Sequence, residues 1–280
     1  MLGHPIKHSI SPAMHNAALA ELARTEPRFA DWRYFRFEVR PEDLPEALVL
    51  LHAKNFRGIN LTVPHKIIAF ERVAEVDPAA RPVGAVNTLR WSERGWHGFN
   101  TDGYGLAAAV RETLHHDLAD ADIILLGAGG AARGAAVECL QRGCKSLWIA
   151  NRTRANLEEL LEVLRPVAGV IKVTGFDPTR PPPNLPAGAI MVNATSAGLR
   201  PDDPTPIDLA ALPRPAAVYD MIYNPPQTPL LAAAAARAVP QANGLSMLVH
   251  QGAKALEHWS GIPAARTAPT MAAAARAALA

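Results

Sequence analysis

In GINLTVPHK, residues 58–66, Ile59, Leu61 and Val63 alternate with Asn60 and Thr62. This period of two marks a strand with one apolar and one polar face, and the polar face must meet water or a ligand. Upstream, Ser11-Pro12 has the form of an N-cap followed by proline at N1, and Met14, Ala17, Ala18 and Leu22 share one face, predicting a helix to about residue 24. A strand is expected over 34–39 and a helix over 42–51, introduced by Pro41. Short strands over 84–91 and 95–99 are separated by Ser92-Glu93-Arg94 and lead to NTDGYG, a turn before a helix that begins near Tyr104.

From residue 122 the texture changes. A continuous apolar strand over 122–126 runs into GAGGAAR and a helix to about 141. A strand over 146–150, a helix to about 164, and strands near 170, over 189–193 and over 217–221 follow. This βαβ rhythm predicts an α/β fold with a parallel sheet covered on both faces. RPPPNLPAG at 180–188 reads as a connecting loop. Thr228-Pro229 again pairs N-cap with N1; a turn at Asn243-Gly244 precedes a helix over 247–259, and an alanine-rich helix closes the chain. No repeat of 20–50 residues is visible. Two domains are expected, 1–102 completed by helices in 245–280, and 103–244.

Composition narrows the function classes. The chain has 280 residues, 49% hydrophobic and 19% charged, enough to bury a core. A net charge of +2, with no run of Lys and Arg interleaved with aromatics, argues against a nucleic-acid partner. Cys139 and Cys144 fall in a predicted helix and match no zinc or redox spacing, so no metal is expected and the thiols read as structural. MLGHPIKHS has no apolar signal core, and no stretch approaches the ~18 apolar residues of a membrane span. A soluble cytoplasmic protein is the expectation.

Gly127-Ala128-Gly129-Gly130-Ala131-Ala132 follows a strand and opens a helix, where backbone N–H groups and the helix dipole can hold a pyrophosphate. The next strand ends at Asn151, where an acidic residue would bind the ribose hydroxyl of NAD. Here the residues are Asn151-Arg152-Thr153-Arg154, whose guanidinium and hydroxyl groups suit a 2′-phosphate, so NADP is expected over NAD. The bland alternative is an N-cap at Thr153 with solvated arginines. Lys66, predicted at the start of a helix, is poorly placed for stability, because that end already carries unpaired N–H groups and the positive end of the macrodipole.

HSISP at 8–12, GINLTVPHK at 58–66, GAVNT at 84–88, GFNTDGYG at 98–105, NATSAGL at 193–199, YDMIYNPPQTPLL at 219–231 and NGLSMLVHQG at 243–252 together resemble the shikimate dehydrogenase family. The resemblance implies an N-terminal α/β substrate domain, a Rossmann NADP-binding domain, and C-terminal helices that return to the first domain. It implies reversible NADPH-dependent reduction of 3-dehydroshikimate to shikimate, on the way to the aromatic amino acids, by a monomer or homodimer. Lys66 and Asp102 match the catalytic pair. Ser9, Ser11 and Tyr223 match the groups that hold the substrate carboxylate, and Asn60, Thr62, Asn87 and Gln251 those that hold its ring hydroxyls. Around the cofactor the resemblance adds Thr195, Met221, Gly244 and Met247 to the glycine-rich turn and to residues 151–154. Lys66 then has a reason to be where it is: a positioned ammonium can deliver a proton to the carbonyl oxygen that is being reduced.

Rival readings stay open beside these roles. Ser11 and Asp102 could only cap their helices, and Asn87 and Gln251 could be satisfied buried amides. His65 and His250 match no catalytic position and read as packing or solvated groups; Trp259 reads as core. Only Met1 and Leu2 precede Gly3, where the family has a longer strand, so either the start is trimmed or the first strand of the substrate domain is curtailed. Asn156 stands where a second basic residue is common, which predicts a weaker NADP preference. A quinate or dual-specificity dehydrogenase and a non-catalytic metabolite sensor are the alternatives.

Overall fold

The structure, a computed structural model, describes residues 1–200 and 202–280. In chain order its strands and helices are β1 (Leu2–Gly3), α1 (Ser11–Thr25), β2 (Phe37–Glu38), α2 (Leu44–Ala53), β3 (Gly58–Asn60), α3 (His65–Phe70), β4 (Glu75–Val76), β5 (Thr88–Ser92), β6 (Gly95–Phe99), α4 (Asp102–Leu114), β7 (Asp122–Leu126), α5 (Gly130–Gln141), β8 (Ser146–Ala150), α6 (Arg154–Ala168), β9 (Lys172–Phe176), β10 (Ile190–Asn193), β11 (Ala217–Asp220), α7 (Pro229–Ala236), β12 (Gln241–Ala242), α8 (Leu245–Ser260) and α9 (Ala264–Leu279). The chain divides into two units, the first Met1–Gly105 with Leu248–Ala280, the second Leu106–Met247.

In the first unit, β3-β5-β6-β4 form a sheet in that order, antiparallel except for the β4–β6 pair. β1 and β2 pair in parallel beside it, and a single bridge joins Leu2 to Leu61. Leu2, Leu44, Leu48, Ile59, Leu89 and Trp96 are among its core residues. The alanine-rich α9 packs on α1, where small residues at Ala18, Ala264, Ala268 and Ala275 allow close approach.

Three expectations fail here, each for a reason visible in the hydrogen bonding. Ile10, not Ser11, occupies the N-cap of α1; Ser11 is already helical, and its N–H donates to Ser9 Oγ at 3.3 Å, so the serine side chain that serves the helix start lies two residues earlier. The strand expected over 34–39 shrinks to Phe37–Glu38, because the Asn16 carboxamide takes both backbone groups of Tyr34, at 2.8 and 3.0 Å, in place of a strand partner. The strand expected over 84–91 begins only at Thr88, since Val86 N–H donates to Lys66 O and folds that segment over α3.

The second unit is a six-stranded parallel sheet in the order β12-β11-β10-β7-β8-β9. The chain winds outward from β7 through β8 to β9, returns to the other side of β7, and continues outward through β10 to β12. That doubly wound order places a topological switch point between β7 and β10, where open α/β sheets bind ligands beyond the strand C-termini. β7, β8, β10 and β11 are almost wholly buried, as strands with both faces covered must be. Cys139 and Cys144 are free and buried; burial pushes the Cys144 thiol up to about 11 and that of Cys139 well above its ordinary value, so neither is a ready nucleophile.

His15, on α1, is fully buried, and neither ring nitrogen has a hydrogen-bond partner among the described residues. Burial, helped by the N-terminal ammonium, lowers its pKa from 6.5 to about 3. The native ring therefore stays neutral while the unfolded one takes up a proton, so its contribution to stability is complete above pH 6.5 and is lost as pH falls toward 3. Within that window the loss is about 1.4 kcal/mol per pH unit. His258, lowered to about 4 chiefly by burial, adds a smaller, solvent-screened loss of the same sign. Melting temperature measured from pH 7 downward should fall less steeply for His15→Phe than for the wild type; parallel curves would remove His15 from the acid sensitivity.

Candidate active site

Lys66 stands in the first turn of α3 and Asp102 is the first residue of α4. Lys66 Nζ donates to Asp102 Oδ2 at 2.6 Å, and the two side chains keep 26% and 24% of their surface exposed. A carboxylate at the start of α4 is favoured by the helix dipole, and it offsets the unfavourable position of the ammonium on α3. The other carboxylate oxygen accepts from Asn87 Nδ2 at 2.8 Å, and Asp102 N–H donates to Asn100 Oδ1 at 3.1 Å. With three donors on its ammonium and one engaged by Asp102, Lys66 can still address a ligand oxygen.

Behind this pair lies a buried polar network. Asn87 Nδ2 also donates to Thr101 Oγ1 at 3.0 Å and approaches Gln251 Oε1 at 3.5 Å, while Asn87 Oδ1 accepts from Thr88 Oγ1 and from Thr101 N–H, each at 2.9 Å. Gln251 is held in turn, donating from Nε2 to Leu248 O at 2.8 Å. Asn60 Nδ2 donates to Asn87 O at 3.2 Å and Thr88 Oγ1 at 3.0 Å, and Asn60 Oδ1 accepts from the Tyr34 hydroxyl at 2.7 Å. Both hydrogens of the Asn60 amide are thus used internally, and one carbonyl lone pair is left for a ligand. Tyr34, Thr88 and Thr101 escaped sequence reasoning. The two threonines fall inside GAVNT and GFNTDGYG, so the signal was present; nothing local singles out Tyr34.

The serines occupy the loop that enters α1. Ser9 Oγ donates to Met1 Sδ at 3.1 Å, and the loop is tied down by Arg36, which donates to the carbonyls of Lys7 and Ser9. The Ser11 and Thr62 hydroxyls make no hydrogen bond among the described residues, so both can accept a ligand partner. Thr62 lies against Gly3, where an added Cβ would come within 2.3 Å of its methyl group. His65 is buried and its Nε2 pairs with Val39 O at 2.8 Å, a packing role. Trp259 is only half-buried, contrary to the core expectation, and its indole N–H donates to Leu89 O at 2.9 Å.

In the second unit the glycine-rich turn sits at the switch point. Gly127 has φ +111, and an added Cβ would meet Thr195 Cγ2 at 3.1 Å and Ala194 O at 3.2 Å, so the turns after β7 and β10 touch only because this residue is glycine. Gly129 is the N-cap of α5 with no side-chain cap bond, and Cβ atoms added at Gly129 or Gly130 would find nothing within 4 Å. The first-turn N–H groups of α5, around Gly130 and Ala131, are therefore uncapped beside free space, which fits a pyrophosphate.

Beyond β8, Arg154 is committed to Glu158 at 2.7 Å and Asn151 Nδ2 donates to Thr153 O at 2.8 Å. Arg152 is exposed and makes no hydrogen bond or ion pair among the described residues. Thr153 occupies the N-cap of α6, as the bland reading has it, but its hydroxyl makes no capping bond and stays available to a ligand. Arg152 and Thr153 are the groups left free for a phosphate, and the residues present fit NADP.

Asp220 is buried and accepts from Asn193 Nδ2 at 3.0 Å, Thr228 Oγ1 at 2.7 Å and Ile222 N–H at 3.0 Å. This knot fixes the turns that carry Thr195 and Met221. Thr195 N–H and Oγ1 both reach Asn193 Oδ1, at 3.0 and 2.7 Å. Gly244 approaches Met221 so closely that an added Cβ would lie 2.0 Å from its carbonyl oxygen, and Met247 N–H donates to the Tyr219 hydroxyl at 3.2 Å. Tyr223, on the same unit, is partly buried, which raises its pKa. Among the described residues no helix is long and apolar enough to cross a membrane, and no cluster of three or more ligating side chains could hold a metal.

Residues 1–89 match the family described as the shikimate dehydrogenase substrate binding domain, 109–177 match shikimate / quinate 5-dehydrogenase, and 244–276 match the shikimate 5'-dehydrogenase C-terminal domain. Shikimate dehydrogenase (NADP(+)) of Thermosynechococcus vestitus is 40% identical over 275 residues, covering 94% of this chain and 90% of the relative. That of Methanopyrus kandleri is 38% identical over 264 residues, covering 93% and 89%. Among solved structures, shikimate 5-dehydrogenase of Thermus thermophilus, in complex with NADP(H) and shikimate, superposes with a TM-score of 0.84 at 34% identity, covering 99% of this chain and 97% of that one. A 5-ketofructose reductase from Gluconobacter superposes nearly as well, with a TM-score of 0.82 at 31% identity over 96% and 95% of the two chains. With sequence identity sustained across almost the full length, and family matches to both units, the chain belongs to the shikimate dehydrogenase family.

Proposed function

We propose that the chain catalyses the reversible NADPH-dependent reduction of 3-dehydroshikimate to shikimate, in the cytoplasm. The observation that carries this is the Lys66–Asp102 pair at 2.6 Å, a proton donor clamped by a carboxylate in the unit whose sequence matches a substrate-binding domain. NADP, when bound, supplies or accepts the hydride. The chain's own residues do the rest. The Lys66 ammonium delivers a proton to the carbonyl oxygen during reduction and recovers it from the hydroxyl during oxidation, and Asp102 keeps its Nζ aimed. Ser9, Ser11 and Tyr223 take the carboxylate; Thr62 and Gln251, with the remaining lone pair of Asn60, take the ring hydroxyls. Asn87 acts chiefly by holding Asp102, since its amide is spent inside the protein.

Gly127, Ala128, Gly129, Gly130 and Ala131 cradle the pyrophosphate; Asn151, Arg152, Thr153 and Arg154 surround the 2′-phosphate, with Arg152 as the free cation. Thr195, Met221, Gly244 and Met247 complete that side. A neighbour of the same fold is a 5-ketofructose reductase, so the acid must be identified by assay. Steady-state kinetics with shikimate and quinate, each with NADP and NAD, should give the highest kcat/KM for shikimate with NADP. A preference for quinate would reassign the substrate. Arg152→Ala should cut the NADP-to-NAD preference by about 10-fold or more, the size of one lost charge-assisted contact. An unchanged ratio would take Arg152 out of the recognition.

A further inference from the structure

We propose that the first unit carries a second small-molecule site, for a planar aromatic carboxylate, in the cavity lined by His15, Tyr34 and Trp259. A cavity of about 330 Å³ opens there, at the lower end of the range for small-ligand pockets and large enough for a bicyclic ring. One wall is a rigid aromatic surface. The His15 and Tyr34 rings stack with centroids 4.1 Å apart and planes 1° from parallel, and the Trp259 indole leans on them at 5.6 and 6.0 Å. Trp259 is fixed by its bond to Leu89 O and by Gly58, where an added Cβ would lie 2.0 Å from the indole nitrogen. A large, partly exposed indole locked in place at a cavity is a surface for stacking, with little ordering cost on binding.

The rim supplies the charge preference. Arg33 and Arg57 both line the cavity, against the single carboxylate of Asp31. Arg33 uses one terminal nitrogen on the carbonyls of Ala30 and Trp32, at 2.7 Å each, which pins the rim loop. Arg57 is exposed and its guanidinium has no partner among the described residues, so it is free to take a carboxylate in the bidentate manner. None of the residues assigned above to substrate or cofactor lines this cavity. Tyr34 belongs to its wall and its hydroxyl donates to Asn60, so an occupant would press on a residue bonded to the site.

Occupancy of this cavity is separate from the proposed reaction and is read by binding alone. Calorimetric titration of the full chain with indole-3-propionate should give one saturable site, retained when shikimate is present at saturating concentration. Arg57→Glu should weaken it at least tenfold without changing the melting temperature, and the neutral indole-3-propionamide should bind the wild type at least tenfold more weakly than the acid. Absence of binding, displacement by shikimate, equal affinity of acid and amide, or an affinity unchanged in Arg57→Glu would each overturn the proposal.

Discussion

Replacing Lys66 by alanine is expected to lower kcat at least ~100-fold, with a much smaller change in KM. What sets the split is the state of the reaction that the ammonium serves. In the proposed site the ground-state ligand shares several hydroxyl and amide groups, so loss of one donor should weaken binding little. At the transition state negative charge grows on a single oxygen, and the donor clamped to Asp102 at 2.6 Å is the group aimed to meet it. Lys66→Arg sharpens the test. A guanidinium keeps the positive charge but does not give up its proton in proteins, so this variant should bind substrate and remain slow in both directions. A near-normal kcat in either variant would remove Lys66 from proton transfer.

Asp102→Asn should cost about 10- to 100-fold in kcat, and it separates two readings of the residue. Asn and Asp are about equally good as N-caps, so a residue that only capped α4 would largely tolerate the exchange. In the structure Asp102 does more: its two oxygens are divided between Lys66 and Asn87, and an amide cannot accept from both partners through two oxygens. The variant leaves Lys66, three-quarters covered, without its counter-charge, and leaves an Asn87 hydrogen facing another donor or empty space. Comparing kcat with melting temperature decides the matter. A large fall in kcat with a modest fall in melting temperature supports the clamp, whereas unchanged kcat leaves only the helix start.

The parts of this protein that could be read from sequence are those whose physics is local. The strands β7 and β8 appear at the expected residues because four-residue apolar runs buried on both faces leave few alternatives. The start of α7 is where Thr228-Pro229 places it, with the threonine hydroxyl accepting from Leu231 N–H at 3.3 Å. What could not be read depends on partners distant in the chain. No window around Tyr34 announces that Asn16 will take its backbone groups and cancel most of a strand. Nor does any window announce that its hydroxyl will set the orientation of Asn60, or that Gly58 will admit the Trp259 indole. The candidate site divides in the same way. Its principal residues stand inside recognisable motifs, while the orientation of Asn87, Asp102 and Gln251 also depends on side-chain bonds that reach up to 164 positions along the chain.

If the chain oxidises shikimate with NADP through the Lys66–Asp102 pair, NADPH absorbance should report it in a single turnover, with enzyme in excess over shikimate in the presence of NADP, for the wild type and Lys66→Ala side by side. NADPH should form rapidly in the wild type, with a rate constant at least ~100-fold lower in the variant. Equal rate constants in the two proteins, or no NADPH from the wild type with shikimate, would contradict that route.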